Sequence, residues 1–292
     1  MEQEAEAIAA RVWPGRRLEV EQLGGGITNH NFKVRCDGEC FVLRVGGEGT
    51  GLLGIDRRAE HEAAVVAASL CVGPEVVAFL VTEGSLVTRF VDGGPVPLDE
   101  MRRPALLGEV AAILRRVHDG PAFPARFDSF RVVEAYAEIA LAHGVPLPPG
   151  YAAATGTAAS IERVLGPRPE HPCHNDLLNA NFIRSPDGIR IVDWEYAGMG
   201  DRFFDLSNFA VNHELDAGGD DLLLESYFGA LRERDRTHLR LMRFMSDFRE
   251  AMWGVVQQGI SALDFDFAAY AERHFDRLDR TAADPEFRRA LV

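Results

Sequence analysis

The stretch His174-Asn175-Asp176-Leu177-Leu178-Asn179-Ala180-Asn181 is followed, one turn later, by the apolar run Ile191-Val192 and then by Asp193. The turn itself, Ser185-Pro186-Asp187-Gly188, has strong turn chemistry, which predicts that the segments on either side pair as antiparallel strands. Such a hairpin would place the strand-terminal Asp193 beside Asn181. We therefore expect the side chains of Asp176, Asn181 and Asp193 to face one point.

This order of residues is typical of kinase-type phosphotransferases. Transfer of a phosphoryl group from ATP requires a protein to orient a hydroxyl group and to hold metal ions against the phosphates. Asp176 would accept the hydroxyl proton, while Asn181 and Asp193 would supply oxygen ligands for Mg²⁺. Any one of these residues, taken singly, could merely cap a local turn. The ordered set favours the phosphotransferase interpretation.

Composition restricts the class of partner. The chain has 292 residues, is 47% hydrophobic and carries a formal net charge of −14, which argues against nucleic acid or an anionic membrane and suits a small cationic substrate. The four cysteines form no C-x-x-C pair, so we expect no zinc knuckle or disulfide framework. Neither an apolar leader nor a run of about 20 apolar residues occurs, which predicts a cytoplasmic protein without a membrane span.

The N-terminal third begins with two strands around a glycine-rich turn. Leu18 and Val20 alternate with acidic residues, and the alternation resumes at Phe32 after Gly24-Gly25-Gly26-Ile27-Thr28-Asn29. Consecutive glycines allow backbone N–H groups to approach a phosphate without obstruction by side chains. The turn departs from the G-x-G-x-x-G pattern of protein kinases, and alone it is weak evidence for a phosphate-binding site. The residues that follow it provide the support.

A third strand places Val42 and Arg44 on one face, opposite Phe41, Leu43 and Val45. In kinases a small residue and a lysine at these positions cover the adenine and contact phosphate. Arginine can bind phosphate oxygens in a bidentate manner, so Arg44 could take the role of that lysine. A helix from about Asp56, with a predicted buried stripe at Ala59, Ala63, Val66 and Leu70, carries Glu60 as the expected partner of Arg44. Singly, Arg44 and Glu60 could be ordinary surface residues.

The segment Phe90-Val91-Asp92-Gly93-Gly94-Pro95 contains glycine and proline, which are typical of turns and loops. It separates a strand-rich part of the chain from a helix-rich part. We predict an N-terminal nucleotide-binding lobe over residues 1–91 and a C-terminal helical lobe with the catalytic loop and acceptor site over residues 92–292. An adenine edge would bind the backbone of Phe90 and Val91. The predicted nucleotide-binding residues are Gly25, Gly26, Thr28, Asn29, Val42, Arg44, Glu60, Phe90 and Val91.

Several of these elements together resemble the choline/ethanolamine kinases, most closely the bacterial choline kinases, within the superfamily that includes the aminoglycoside phosphotransferases. The resemblance covers nearly the whole chain. Its matching elements are Gly25-Gly26-Ile27-Thr28-Asn29, Val42-Leu43-Arg44, Asp56-Arg57 with Glu60, His174-Asn175-Asp176 with Asn181, Ile191-Val192-Asp193-Trp194-Glu195-Tyr196, Phe203-Phe204-Asp205-Leu206-Ser207-Asn208, and Trp253-Gly254-Val255-Val256-Gln257 with Phe265 and Tyr270.

The resemblance implies an α+β, two-lobed, protein-kinase-like fold with a small, mainly antiparallel β lobe and a larger helical lobe. It also implies an ATP- and Mg²⁺-dependent kinase of a small amino alcohol, most simply choline. Tyr196, Trp253 and Tyr270 would then wall the choline site, with Glu195 near the cation. A quaternary ammonium has no N–H group, so aromatic faces and diffuse negative charge suit it. Without the resemblance, Trp253 and Tyr270 would read as helix-bundle core.

One departure from the family pattern bears on the acceptor. Eukaryotic members carry a glutamate where this chain has Asn212 or a neighbour, and Glu214 is not clearly its substitute. Ethanolamine, thiamine or an aminoglycoside therefore stay open as acceptors. A pseudokinase that binds a nucleotide or a partner without catalysis is a further alternative, against which the intact Asp176, Asn181 and Asp193 argue.

Overall fold

Antiparallel strands dominate the first third of the chain, and helices dominate the rest. The computed structural model describes residues 1–24, 29–47 and 49–292. The strands are β1 (Leu18–Leu23), β2 (Asn29–Cys36), β3 (Glu39–Gly46), β4 (Val76–Leu80), β5 (Ser85–Arg89), β6 (Gly94–Pro95), β7 (His171–Cys173), β8 (Phe182–Ser185), β9 (Gly188–Ile191) and β10 (Gly198–Gly200). The helices are α1 (Glu2–Val12), α2 (Arg57–Ser69), α3 (Leu98–Met101), α4 (Pro104–His118), α5 (Ser129–Ala142), α6 (Tyr151–Leu165), α7 (Arg202–Asn212), α8 (Ala217–Phe228), α9 (Glu233–Ile260), α10 (Phe267–Ala283) and α11 (Pro285–Ala290).

The chain forms two compact units. The first unit consists of Met1–Pro95 and Asn181–Glu195, and the second of Val96–Ala180 and Tyr196–Val292. The predicted boundary near residue 92 is close to Pro95, but Asn181–Glu195 groups with the first unit. The physical reason is pairing: β8 is antiparallel to β6, and the Ile191 N–H donates to the Val72 carbonyl at 2.8 Å. The functional assignment of the two lobes stays a prediction.

The first unit is built on an antiparallel sheet in the order β1-β2-β3-β5-β4. The period-2 pattern determines its buried face, because Phe32 and Val34 of β2 and Leu43 of β3 are fully buried, and residues of α1 pack against them. Helix α2 begins at its N-cap Asp56, whose side chain accepts from the Arg58 and Ala59 N–H groups. The predicted stripe of α2 is partly wrong, since Glu60, Ala64 and Ala67 are buried with Ala59 and Ala63, while Val66 and Leu70 are only half-buried.

The predicted hairpin is present. Strands β8 and β9 pair antiparallel across the turn at residues 186–187, and the Val192 N–H donates to the Asn181 carbonyl at 3.0 Å. The strand ends at Ile191, two residues earlier than expected, because Asp193 has a left-handed backbone with φ of 66°. This conformation is uncommon for a residue with a Cβ and stops the strand.

The second unit is organised around α9, whose residues from Leu239 to Gln257 are largely buried. Helices α5, α7 and α10 pack against it. In the described ranges no helix has both the length and the apolar character needed to cross a membrane, and each of the four cysteines is free.

Candidate active site

The loop that carries Asp176 is held in the second unit by the buried carboxylate of Asp205. The Asp205 Oδ2 accepts from the His174 N–H at 2.7 Å, and its Oδ1 accepts from the Asn175 N–H at 2.6 Å. Asn175 has a left-handed backbone with φ of 65°, so the chain reverses sharply just before Asp176. Backbone strain of this kind persists where the surroundings fix it, and the two hydrogen bonds to Asp205 supply that constraint.

Asp205 is itself fixed by His118 and Tyr227. The His118 Nε2 lies 3.0 Å from Asp205 Oδ2, and its Nδ1 lies 2.7 Å from the Tyr227 hydroxyl. Cys173 lies beside His118 and Asp205, and the possible ligand atoms of these three buried residues are within 4.8 Å of one another, which is close enough to hold a metal ion. Burial raises the pKa of the Cys173 thiol well above its ordinary value, and His118 and Asp205 already bond to each other, to Tyr227 and to the backbone of the loop. We therefore interpret this set as a hydrogen-bonded support for the loop.

Asp176 contacts a buried arginine that sequence reasoning missed. The Asp176 Oδ1 accepts from Arg249 Nη1 at 3.1 Å, and the same nitrogen donates to Glu250 Oε1 at 2.5 Å. Arg249 and Glu250 are 1% and 2% exposed. Burial alone would raise the pKa of Glu250, but the Arg249 guanidinium holds that pKa below its usual value. The signal in the sequence was an Arg-Glu pair within an otherwise buried run of α9.

The three predicted aromatic residues lie together in the second unit. The Trp253 Nε1 donates to the Tyr196 hydroxyl at 3.2 Å, and the Trp253 and Tyr270 rings lie 5.6 Å apart at 69°. The Tyr270 hydroxyl donates to Glu250 Oε2 at 2.8 Å. The Arg249 guanidinium carbon lies 4.3 Å from the centre of the Tyr196 ring, so a face of this ring already contacts a cation. We call Asp176, Arg249, Glu250 and Tyr270 the second-unit cluster.

The predicted metal ligands, Asn181 and Asp193, belong to the first unit. Asn181 ends a short 3₁₀ turn, and its carbonyl bonds to the residue that precedes Asp193, so the hairpin brings the two residues together as expected. Their donor set, an amide oxygen and a carboxylate, is of the hard oxygen type that Mg²⁺ takes. Their assignment as ligands stays a prediction.

The expected ion pair between Arg44 and Glu60 is present. Arg44 Nη2 lies 2.7 Å from Glu60 Oε1, although Arg44 is only 7% exposed. The Nε and Nη1 groups of Arg44 are buried without a hydrogen-bond acceptor among the described residues. Buried donors normally have partners, and the role of Arg44 as a phosphate ligand stays a prediction.

Arg57 extends this ion pair. Its Nη1 donates to Glu60 Oε2 at 2.8 Å and to Glu195 Oε2 at 3.0 Å, and its Nη2 donates to Asn29 Oδ1 at 2.7 Å. The Asn29 Nδ2 donates to Glu195 Oε2 at 2.7 Å. Glu195 was expected near the acceptor's cation, and that role stays a prediction, but its carboxylate is bound by Arg57 and Asn29. We call Asn29, Arg44, Arg57, Glu60 and Glu195 the first-unit cluster.

The other predicted nucleotide-binding residues divide into two groups. Gly25, Gly26 and Thr28 lie outside the described residues. Val42 pairs with Lys33 of β2 and with Thr88 of β5. The Phe90 N–H donates to the Cys40 carbonyl at 3.0 Å, and the Lys33 Nζ lies 3.8 Å from the centre of the Phe90 ring. Adenine binding at Phe90 and Val91 stays a prediction.

The residues at the family departure lie at the end of α7. Glu214 is exposed and accepts from Arg102 Nη2 at 2.5 Å. Asn212 is half-buried, and its Nδ2 has no hydrogen-bond partner in the described part of the chain. Glu214 thus has a local cationic partner of its own.

Comparisons with known proteins extend these observations. The model of the phosphotransferase enzyme family matches residues 19–243. A solved structure of a choline/ethanolamine kinase family protein from Mesorhizobium loti is 31% identical, covers 100% of this chain and 98% of its own, and superposes with a TM-score of 0.83. This likeness confirms the predicted α+β, protein-kinase-like fold class.

Two relatives at lower identity match most of the chain. Human ethanolamine kinase 2 is 26% identical over 91% of this chain and 76% of its own length. Protein LicA from Haemophilus influenzae is 25% identical over 80% of this chain and 72% of its own length.

Proposed function

Because the chain belongs to the phosphotransferase enzyme family and, within it, to the choline/ethanolamine kinase family, we propose that it transfers the terminal phosphoryl group of ATP to choline. The observation that carries this proposal is the arrangement in the second unit. The carboxylate of Asp176 is linked through Arg249 and Glu250 to the aromatic side chains of Tyr196, Trp253 and Tyr270. The proposed proton acceptor and the aromatic residues proposed to contact a quaternary ammonium therefore belong to one compact unit.

In the proposed reaction, Asp176 accepts the proton of the choline hydroxyl. The hydroxyl oxygen bonds to the terminal phosphorus of ATP as the bond between that phosphorus and its bridging oxygen breaks, and ADP leaves. The Nε and Nη1 donors of Arg44, which have no acceptor among the described residues, would bind phosphate oxygens. Asn181 and Asp193 would hold Mg²⁺, which neutralises charge on the phosphates when it is bound.

Ethanolamine is a second candidate acceptor, and Glu250 favours it. A primary ammonium requires hydrogen-bond acceptors, and Glu250 places a buried carboxylate beside Tyr270. In addition, Arg249 already contacts a face of the Tyr196 ring, which reduces the aromatic surface left for a trimethylammonium group.

The test is an acceptor panel with purified protein and Mg·ATP. Choline, ethanolamine, thiamine and an aminoglycoside are compared by kcat/KM from ADP release, with Asp176→Asn as the low-activity control. We expect the highest kcat/KM with choline. A higher value with ethanolamine would support the second candidate, and turnover of the aminoglycoside or thiamine alone would overturn both. Binding of ATP without turnover of any acceptor would indicate a pseudokinase.

A further inference from the structure

We propose that Arg249 is a positioning residue that orients Asp176, and that Glu250 shares the charge of Arg249 so that Asp176 can still accept a proton. The proposal rests on the proposed function, since it assigns Asp176 as the base. It concerns side chains of the second unit only.

The first argument is immobilisation. An aspartate on a loop can rotate about its side-chain torsions, and a base must point at its proton before it can act. Arg249 Nη1 donates to the Asp176 Oδ1 at 3.1 Å, which restricts the rotation of the carboxylate. Arg249 is fixed in turn, because it is 1% exposed, stacks on Tyr196 and is bound by Glu250.

The second argument concerns charge. An arginine that paired with Asp176 alone would stabilise the carboxylate and weaken it as a base. Here one guanidinium nitrogen faces two carboxylates, and the contact with Glu250, 2.5 Å, is shorter than the contact with Asp176, 3.1 Å. The positive charge of Arg249 therefore compensates mainly the negative charge of Glu250. Asp176 gains an orienting hydrogen bond while the second-unit cluster keeps a net negative charge.

The third argument is that hydrogen bonds to both of its carboxylate oxygens hold Glu250 in place. Its Oε1 binds Arg249, and its Oε2 accepts from the Tyr270 hydroxyl at 2.8 Å. Burial and the neighbouring Glu250 charge raise the pKa of Tyr270, so this hydroxyl stays a donor. The chain of contacts from Tyr270 of α10 through Glu250 and Arg249 of α9 fixes the direction of the Asp176 carboxylate.

A double-mutant cycle tests the proposal, because a residue that works through Asp176 should lose its effect when Asp176 is replaced. Arg249→Met is expected to lower kcat by about 10- to 100-fold in the wild-type background while KM for Mg·ATP changes by less than about 3-fold. In the Asp176→Asn background the same change should lower kcat by less than about 3-fold. Arg249→Lys, which keeps the charge, should recover part of the loss.

Two further variants provide a control for the loss of an arginine and a test of the role of Glu250. Arg240→Met removes a partly exposed arginine from the same helix, where its partner is Glu286, and should leave kcat unchanged. Glu250→Gln removes one of the two carboxylate charges that contact Arg249 and leaves that of Asp176, so kcat should fall by about 10-fold with little change in KM for Mg·ATP. If Arg249→Met does not fold, as judged by circular dichroism, Arg249→Lys and Glu250→Gln carry the test in both backgrounds.

Equal losses of kcat in the two backgrounds, or a loss confined to KM, would overturn the positioning role and leave Arg249 as core packing. Failure of the proposed function has a different signature. If the wild type turns over none of the amino alcohols, the same cycle is measured on the acceptor that it does use, or on ATP hydrolysis with water as the acceptor. Non-additivity there would still support Arg249.

Discussion

The first-unit and second-unit clusters both bury arginine against carboxylate, but they differ in net charge. In the first, Arg44 and Arg57 match Glu60 and Glu195 one for one. In the second, one arginine, Arg249, contacts the two carboxylates of Asp176 and Glu250. Both clusters are largely shielded from water. Charges in such surroundings interact more strongly than charges at the protein surface.

This difference indicates which ligand each cluster can accept. The first-unit cluster is formally neutral, and within the described ranges the Nε and Nη1 of Arg44 have no acceptor, so we expect the cluster to suit an anion such as a phosphate group. The second-unit cluster is formally negative, so it suits a cation or a proton. ATP and an amino alcohol have these opposite charges, and each of the following experiments tests the distinction.

The largest effect is expected from removal of the proposed base. Asp176→Asn keeps an oxygen for Arg249 but cannot take up a proton, so turnover should fall by roughly 10²- to 10⁴-fold. Binding of ATP, measured by calorimetry, should be almost unchanged. Asp187→Asn in the exposed turn between β8 and β9 is the matched control. A variant with near-normal turnover would remove Asp176 from the reaction.

A smaller effect is expected from the first-unit cluster, and on a different parameter. Arg44→Met removes donors for phosphate, and a hydrogen bond to a charged group contributes about 1.5–3 kcal/mol, so KM for Mg·ATP should rise by about 10- to 100-fold. KM for the acceptor should stay constant. Arg35→Met on the exposed face of β2 controls for loss of an arginine from the sheet. An equal rise in both KM values would contradict the division of ligands between the clusters.

The aromatic residues beside the second-unit cluster should distinguish between acceptors. Trp253→Ala removes one ring, and a desolvated cation–π contact is worth about 2 kcal/mol, so kcat/KM for choline should fall by about 10- to 30-fold more than for ethanolamine. Both acceptors are measured on one folded preparation. Trp13→Ala, which removes a tryptophan that packs on Phe41, is the control. Equal losses would assign Trp253 to core packing alone.

Dephosphorylation is expected to have no effect on turnover. Protein kinases often read a phosphate on a long activation loop through the arginine of H-R-D, but Asn175 stands at that position. Residues 194–202 are the whole segment between Asp193 and Phe203, and Gly198–Gly200 is already paired with His171–Cys173. Phosphatase treatment should leave kcat unchanged. Activity that appears only after phosphorylation would contradict this prediction.

Local spacing made part of this structure predictable. The hairpin that joins Asn181 to Asp193 follows from turn chemistry between two short apolar runs, and the partnership of Arg44 and Glu60 follows from a strand and a helix placed in kinase order. These features depend on residues close in sequence or on a known arrangement of elements.

Contacts between distant residues were not predictable in the same way. Arg249 is 73 residues from Asp176, and Arg57 is 138 residues from Glu195, so no periodicity links either pair. Glu195 lies next to Tyr196 in the chain, yet the two residues belong to different compact units. An expectation that grouped them by adjacency could not foresee the contact between Glu195 and Arg57.

The position of Lys33 offers a practical consequence for labelling. It is the chain's single lysine, and its amine lies against the ring of Phe90, where we expect adenine to bind. An amine-reactive fluorophore would therefore have one lysine side chain to modify, beside the segment of interest and without mutagenesis. The emission of such a conjugate could report nucleotide binding directly. In a second experiment, mass spectrometry would measure whether bound ATP protects Lys33 from an acylating reagent, which would map the adenine site.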